Sequence, residues 1–205
     1  MLFDDTFQTL KSQSEGIFRD KGSKFIGYAY PITNEQDVKP ILAKLRQEHP
    51  KARHFCWALR LTPERSIFKL NDDGEPSGTA GRPILNTLLS AQVTNVLLVV
   101  VRYFGGTLLG VTGLINAYKT AANEAILANE IITKTINEVY AISFPYLAMN
   151  EVMRIVKEQQ LVVNAQNFDT DCSIELEISR SSLTNVLHKF EKIEATAIKY
   201  LRTIS

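Results

Sequence analysis

Between Asn95 and Gly113 the sequence leaves little freedom of conformation. Val96-Leu97-Leu98-Val99-Val100-Val101 is an unbroken aliphatic run with no polar residue alternating in it. Such a run buries both faces and predicts a central strand. Arg102 and Tyr103 close it, Phe104-Gly105-Gly106-Thr107-Leu108-Leu109-Gly110 follows, and a helical pattern then begins. A strand, a glycine-rich turn and a helix together offer backbone amides carrying partial positive charge to whatever lies above the turn. Arg102 adds a full charge at the strand's carboxyl end, where ligands collect in open α/β sheets. One reading of this stretch is therefore an anion site built from Arg102, Gly105 and Gly106. The other is a tight turn that packs a helix onto a sheet, with Arg102 paired to a carboxylate. A buried guanidinium needs a partner, and Asp72, Asp73 and Glu75 are the candidates. The glycines at 105, 106, 110 and 113 fit neither the dinucleotide nor the Walker pattern, so no nucleotide cofactor is expected.

The rest of the chain reads as alternating strands and helices. Gln13 to Ile32 predicts two strands around a turn at Asp20-Lys21-Gly22-Ser23. Val38, Ile41, Leu42 and Leu45 recur at helical spacing, with the start at either Asn34 or Asp37. His54–Leu61 and Ser66–Leu70 predict strands, and residues 71–83 form a long loop of the kind that is functional or disordered. Pro83 suits the first position of the next helix. Leu114, Ile115, Tyr118, Ala121, Ala122, Ala125 and Ile126 share one face of the helix after the glycine turn. The texture changes near 129–137, and the remaining residues read β-α-β-β-α-β. The chain is thus predicted to be α+β with two domains, 1–136 and 137–205.

Charge and cysteine usage narrow the function classes. The formal net charge of the 205 residues is +1, which excludes a grossly basic nucleic-acid binder but allows a local basic patch. Residues 1–136 hold 16 Lys/Arg and 13 Asp/Glu, the remainder 7 and 9, so a polyanion is expected to favour the first domain. Two distant cysteines, Cys56 and Cys172, form no disulfide framework or zinc motif, which predicts a reducing, cytoplasmic setting. The opening residues lack a secretory pattern, and Val96–Val101 is too short to span a bilayer.

Several constellations carry possible chemistry. Asp72, Asp73 and Glu75 bring three carboxylates into one loop, a set that could hold Mg²⁺ for hydrolytic or phosphoryl chemistry or serve only turn geometry. His54 and Cys56 share a strand face, as a nucleophile pair or as a packed face with a small thiol. His49 and His188 have no evident partners in the sequence. Lys24, Arg53, Arg82, Arg102 and Lys119 could gather at one rim and meet phosphates, with Tyr103 and Phe104 available to stack on bases.

The pieces Lys24-Phe25-Ile26, His49–His54, Asp72–Pro83 and Val99–Gly110 resemble the YigZ/IMPACT family. The resemblance covers the first domain by motif and the second by pattern. It implies a first domain with the fold of ribosomal protein S5 domain 2 and a second that is ferredoxin-like. It also implies binding to RNA or ribosomes, and possible contact with translation-associated proteins. The kinase-restraining role of eukaryotic members rests on an extra N-terminal module of the RWD type, which these residues do not contain, so that role is not carried over. Ser173, Glu175 and Glu177 occupy one face of a strand in the second domain, and two carboxylates there oppose phosphate.

The leading expectation is a non-catalytic, cofactor-free RNA- or ribosome-binding protein acting on translation. Its anion-binding residues would be Lys24, Arg53, Arg82, Arg102, Tyr103, Gly105, Gly106 and Lys119. The alternatives are a metal-dependent hydrolase or phosphotransferase using Asp72–Glu75, and a protein–protein module acting on translation factors.

Overall fold

The computed structural model describes residues 5–169 and 172–204. Met1–Asp4, at the end where a secretory signal would begin, lie outside them. The chain is of mixed α and β structure and divides into two compact units. Phe7–Lys134 forms the larger, and Met1–Thr6 with Thr135–Ser205 the smaller.

The larger unit is built on a five-stranded sheet in the order β2-β3-β6-β4-β5. Its strands are β2 (Ser14–Asp20), β3 (Ser23–Pro31), β4 (His54–Leu61), β5 (Ile67–Asn71) and β6 (Val96–Tyr103). The aliphatic run is β6, at the centre, and Val96 through Val101 are all fully buried. Every pairing in this sheet is antiparallel. The rule that places ligands at the carboxyl ends of parallel strands therefore has no footing here.

Alternation along β6 divides its side chains between two cores. Val96, Leu98 and Val100 pack with Ala117, Tyr118, Ala121 and Ala125 of α3 (Gly110–Leu127) and with Ile84, Leu85 and Leu88 of α2 (Gly81–Ser90). Leu97, Val99 and Val101 face the other way, toward Val38 and Leu45 of α1 (Val38–Glu48). The two candidate starts of α1 both contribute. A short 3-10 turn over Glu35–Asp37 follows Asn34, and the Asp37 carboxylate accepts from the Thr33 and Asn34 amides at 3.3 Å. Pro40 then sits in the first turn of α1, where its missing N–H costs nothing. Pro83 likewise lies within the first turn of α2, which opens at Gly81 rather than at the proline.

Helix α3 lies directly on β2 and β3. Gly16 and Gly27 are cross-strand partners. A Cβ on either would come closer than 3.0 Å to α3 backbone, at Ala125 and Ala121 respectively. Two strands that the sequence did not reveal, β1 (Thr6–Leu10) and β7 (Ile131–Thr135), pair as a separate ribbon.

The smaller unit runs β8 (Asn137–Phe144), α4 (Met149–Glu158), β9 (Val162–Asn167), β10 (Cys172–Ser179), α5 (Leu183–Glu191) and β11 (Ala197–Ile204). Its sheet has the order β11-β8-β10-β9. Ile142, Ile174, Leu176 and Ile178 face Val152, Ile155, Val186 and Phe190 of the two helices. The carboxylates on the other face of β10 are engaged. Arg202 pairs with Glu175 at 3.5 Å, and the Asn137 amide donates to Glu177 at 2.5 Å.

Candidate nucleic-acid interface

Seven of the eight residues expected to bind an anion fall into three groups, and Gly106 belongs to none of them. Arg102 and Gly105 are engaged by the protein itself, Arg102 in the interior and Gly105 against the β2–β3 hairpin. Arg102 follows Val100 onto the α2/α3 face of β6, where it is only 6% exposed. Its guanidinium Nη1 pairs with Glu75 at 2.5 Å. Glu75 also accepts from the Tyr118 hydroxyl at 2.7 Å, and His54 Nε2 stands 4.0 Å away. The guanidinium lies over the rings of Phe25 and Phe104, at 5.4 and 5.5 Å. Glu75 is the carboxylate that the paired-arginine reading required.

The glycine turn serves packing. The Gly105 amide donates to Ser23 Oγ at 3.1 Å. A Cβ on Gly105 would overlap the Gly22 and Ser23 backbone, so only glycine lets the turn close on the β2–β3 hairpin. Helix α3 begins only at Gly110, so its N-terminal amides do not belong to Gly105 or Gly106. Gly106, at φ +87, has open space around it.

The acidic loop divides its work among three carboxylates rather than converging on one ion. Asp72 accepts the amides of Gly78, Ala80 and Gly81 at 2.8–3.1 Å. Burial opposes its ionisation, but the amides of Gly78, Gly81 and Ala80 outweigh burial and hold its pKa below the usual range. Asp73 accepts the Phe55 amide at 2.7 Å and pairs with Arg46 at 3.2 Å. Glu75 belongs to Arg102 and Tyr118. Among the described residues no cluster of three or more His, Cys, Asp or Glu could hold a metal. Cys56 is fully buried and 3.4 Å from the Tyr118 hydroxyl. Burial pushes its thiol pKa up, which removes the thiolate that a nucleophile pair with His54 needs.

Lys24, Tyr103 and Arg53 form the second group. On β3, Lys24 shares a face with Ile26, Tyr28 and Tyr30, the α1 side of the sheet. The register sets Arg19 opposite Lys24 and Lys24 opposite Tyr103. Arg53 precedes His54, whose partner is Arg102, so the same register brings it alongside Tyr103. Arg19, Lys24 and Tyr103 thus form one line across three strands, and Arg53, immediately ahead of β4, extends it. At about 4.8 Å per strand, the line is about 14 Å long. None of its three cations has an ion pair among the described residues. Tyr103 is fixed by His49, which the sequence left without a partner. His49 Nδ1 and Nε2 each lie 2.8 Å from a hydroxyl, of Tyr103 and of Tyr28. Burial raises the Tyr28 phenol, and nearby Glu15, Tyr30, Glu48 and Tyr103 add to this. Burial, Glu48 and Glu15 push Tyr30 up to about 12. These phenols stay protonated at neutral pH. His188, also unpartnered in the sequence, lies 3.4 Å from Glu191.

Arg82 and Lys119 make the third group. Both are exposed, on α2 and α3, the helices that cover the opposite sheet face. Sequence reading omitted Arg19. The signal for it was present, because a two-residue turn at Lys21-Gly22, both with φ > 0, dictates that Arg19 faces Lys24.

Residues 21–126 match the Impact N-terminal domain. That stretch runs from β3 through β6 and α1, α2 and nearly all of α3, and it holds the cationic line except Arg19, which lies on β2 ahead of it. The chain belongs to the IMPACT family. It is 34% identical over 178 residues to an IMPACT family member of Haemophilus influenzae, covering 85% of this chain and 86% of that one. It is 40% identical over 108 residues to IMPACT family member YigZ of Escherichia coli, covering 52% of this chain and 53% of that one. A crystal structure of a hypothetical protein superposes with a TM-score of 0.75 at 25% identity, covering 97% of this chain and 98% of the other. No helix among the described residues is long and apolar enough to cross a membrane.

Proposed function

We propose that the chain binds RNA phosphates through Arg19, Lys24 and Arg53, with Tyr103 between them, and acts on translation as a ribosome-associated regulator without catalysis. The observation that carries this reading is the line of unpaired cations. Like charges facing each other across strands destabilise a sheet. Arg19 and Lys24 are cross-strand partners and neither has an ion pair among the described residues, an arrangement that an anionic partner would relieve. Tyr103, held by His49, supplies a fixed hydroxyl and ring edge within the line. We further infer that the larger unit has the fold of ribosomal protein S5 domain 2. The β11-β8-β10-β9 order of the smaller unit supports a ferredoxin-like sandwich.

The test is anisotropy titration of a fluorescein-labelled single-stranded RNA at several salt concentrations. Arg19→Ala, Lys24→Ala and Arg53→Ala should each weaken binding regardless of RNA sequence and lower the salt slope by about 1. Arg82→Ala and Lys119→Ala, on the other face, should leave it unchanged. Absence of binding at low salt, or loss caused by the helix variants alone, refutes the reading.

A further inference from the structure

Strand β5 ends the five-stranded sheet, so its outer row of N–H and C=O groups has no strand partner among the described residues. Edge strands are normally blunted by charge. The opposite edge strand, β2, carries Glu15, Arg19 and Asp20. β5 reads Ile-Phe-Lys-Leu-Asn with Lys69 as its one charge, and the Lys69 ammonium is tied to Glu35. Ile67 and Phe68 stand 42% and 58% exposed beside that open edge.

A groove of about 460 Å³ lies next to it. Val38, Leu42 and Ala43 of α1 form its wall together with Trp57 of β4, and Glu35, Lys39 and Arg46 stand on its rim, Glu35 paired with Lys69 and Arg46 with Asp73. Trp57 is the cross-strand partner of Asn71, so the groove opens on the same sheet face as Ile67, Lys69 and Asn71. An extended segment added outside β5 would complete its hydrogen bonds and turn every second side chain toward that face. The rim favours a negatively charged occupant, since Lys39 has no ion pair among the described residues. Pairing of β5 with a second copy of itself about its centre would set Lys69 against Lys69, a repulsive contact.

We infer that the β5 edge and the Trp57 groove together form a docking site for an extended segment of another protein, one with alternating apolar side chains and at least one carboxylate. The site is independent of the cationic line.

The probe is a fluorescein-labelled peptide of about nine residues, long enough to match a strand, with Val and Leu at alternate positions and Asp between them. Three controls accompany it, one carrying Lys in place of Asp and two N-methylated on alternate amides, one along each edge. Saturable anisotropy is expected, weakened at least about tenfold by N-methylation on one edge, because the main chain supplies the affinity. Lys39→Glu should weaken the Asp peptide several-fold and strengthen the Lys peptide. Lys39 is exposed, so an unchanged melting temperature will show that the variant is folded. Three results would each overturn the inference: no saturation by about 1 mM peptide, about −4 kcal/mol of binding free energy; equal binding of peptides methylated on either edge; or a concentration-dependent dimer in sedimentation that excludes the peptide.

Discussion

Glu75→Gln isolates what the buried arginine does. In the native chain the Arg102 guanidinium and the Glu75 carboxylate are 7% and 3% exposed as side chains, so little solvent screens the pair. Glutamine keeps the volume and an acceptor for Tyr118 but removes the charge. The guanidinium then remains buried, with the Phe25 and Phe104 rings as its main neighbours. Removing one partner of a buried pair costs about 3–5 kcal/mol, and the retained acceptor places this change near the lower end. With a urea dependence of about 2 kcal/mol/M, the unfolding midpoint should fall by about 1.5 M. The chain's single tryptophan, Trp57, lies in the same unit, so its fluorescence reports that unit's unfolding directly. Arg102→Ala should show a comparable loss, whereas the double change Glu75→Leu with Arg102→Met should recover most of it, because a packed apolar pair replaces a desolvated ionic one. RNA binding by the folded protein should be the same in all of these variants. A midpoint shift below about 0.5 M, together with loss of RNA binding in Arg102→Ala, would show that Arg102 serves a ligand.

Three further outcomes are expected. Gly105→Ala should destabilise the larger unit by several kcal/mol, on the order of an overpacked core site, while Gly106→Ala should cost only about 1 kcal/mol for its positive φ; calorimetry of the pair checks the order. Asp72 has a depressed folded pKa, so its contribution is present above the unfolded value near 3.9 and is lost as pH falls through the folded value; Asp72→Asn should flatten the acid limb of the stability–pH curve. Cys56, buried and shifted toward the thiol, should resist a disulfide reagent at neutral pH and react only when urea opens the larger unit.

The legibility of this fold tracks the range of the interactions that make it. β6 was readable because six aliphatic residues admit no exposed face, and α1 and α3 because their stripes recur within a few residues. β1 and β7 were not. Four of the five residues of β7 are exposed, so no alternation marks it, and only its distant partner makes it a strand. The site divides in the same way. Lys24 and Arg19 are joined by a local hairpin, and the facing pair could have been derived from the turn. Arg53 reaches Tyr103 only through the β4–β6 pairing, which nothing local announces. Arg102 had three candidate carboxylates in one loop. The choice of Glu75 depended on Asp72 being taken by three amides and Asp73 by Phe55 and Arg46.

The paired glycines beneath α3 have a mechanical consequence. With no side chains between Gly16, Gly27 and the backbone at Ala121 and Ala125, the helix cannot roll or slide on β2 and β3 without collision. Hairpin and helix therefore behave as one stiff plate, and their amides should exchange with solvent as a block rather than strand by strand. Arg19 and Lys24 are mounted on that plate, whereas Arg53 is carried by the strand on the far side of β6. Distortion of the sheet would thus change the distance between the plate's cations and Arg53 while leaving the Arg19–Lys24 spacing unaltered.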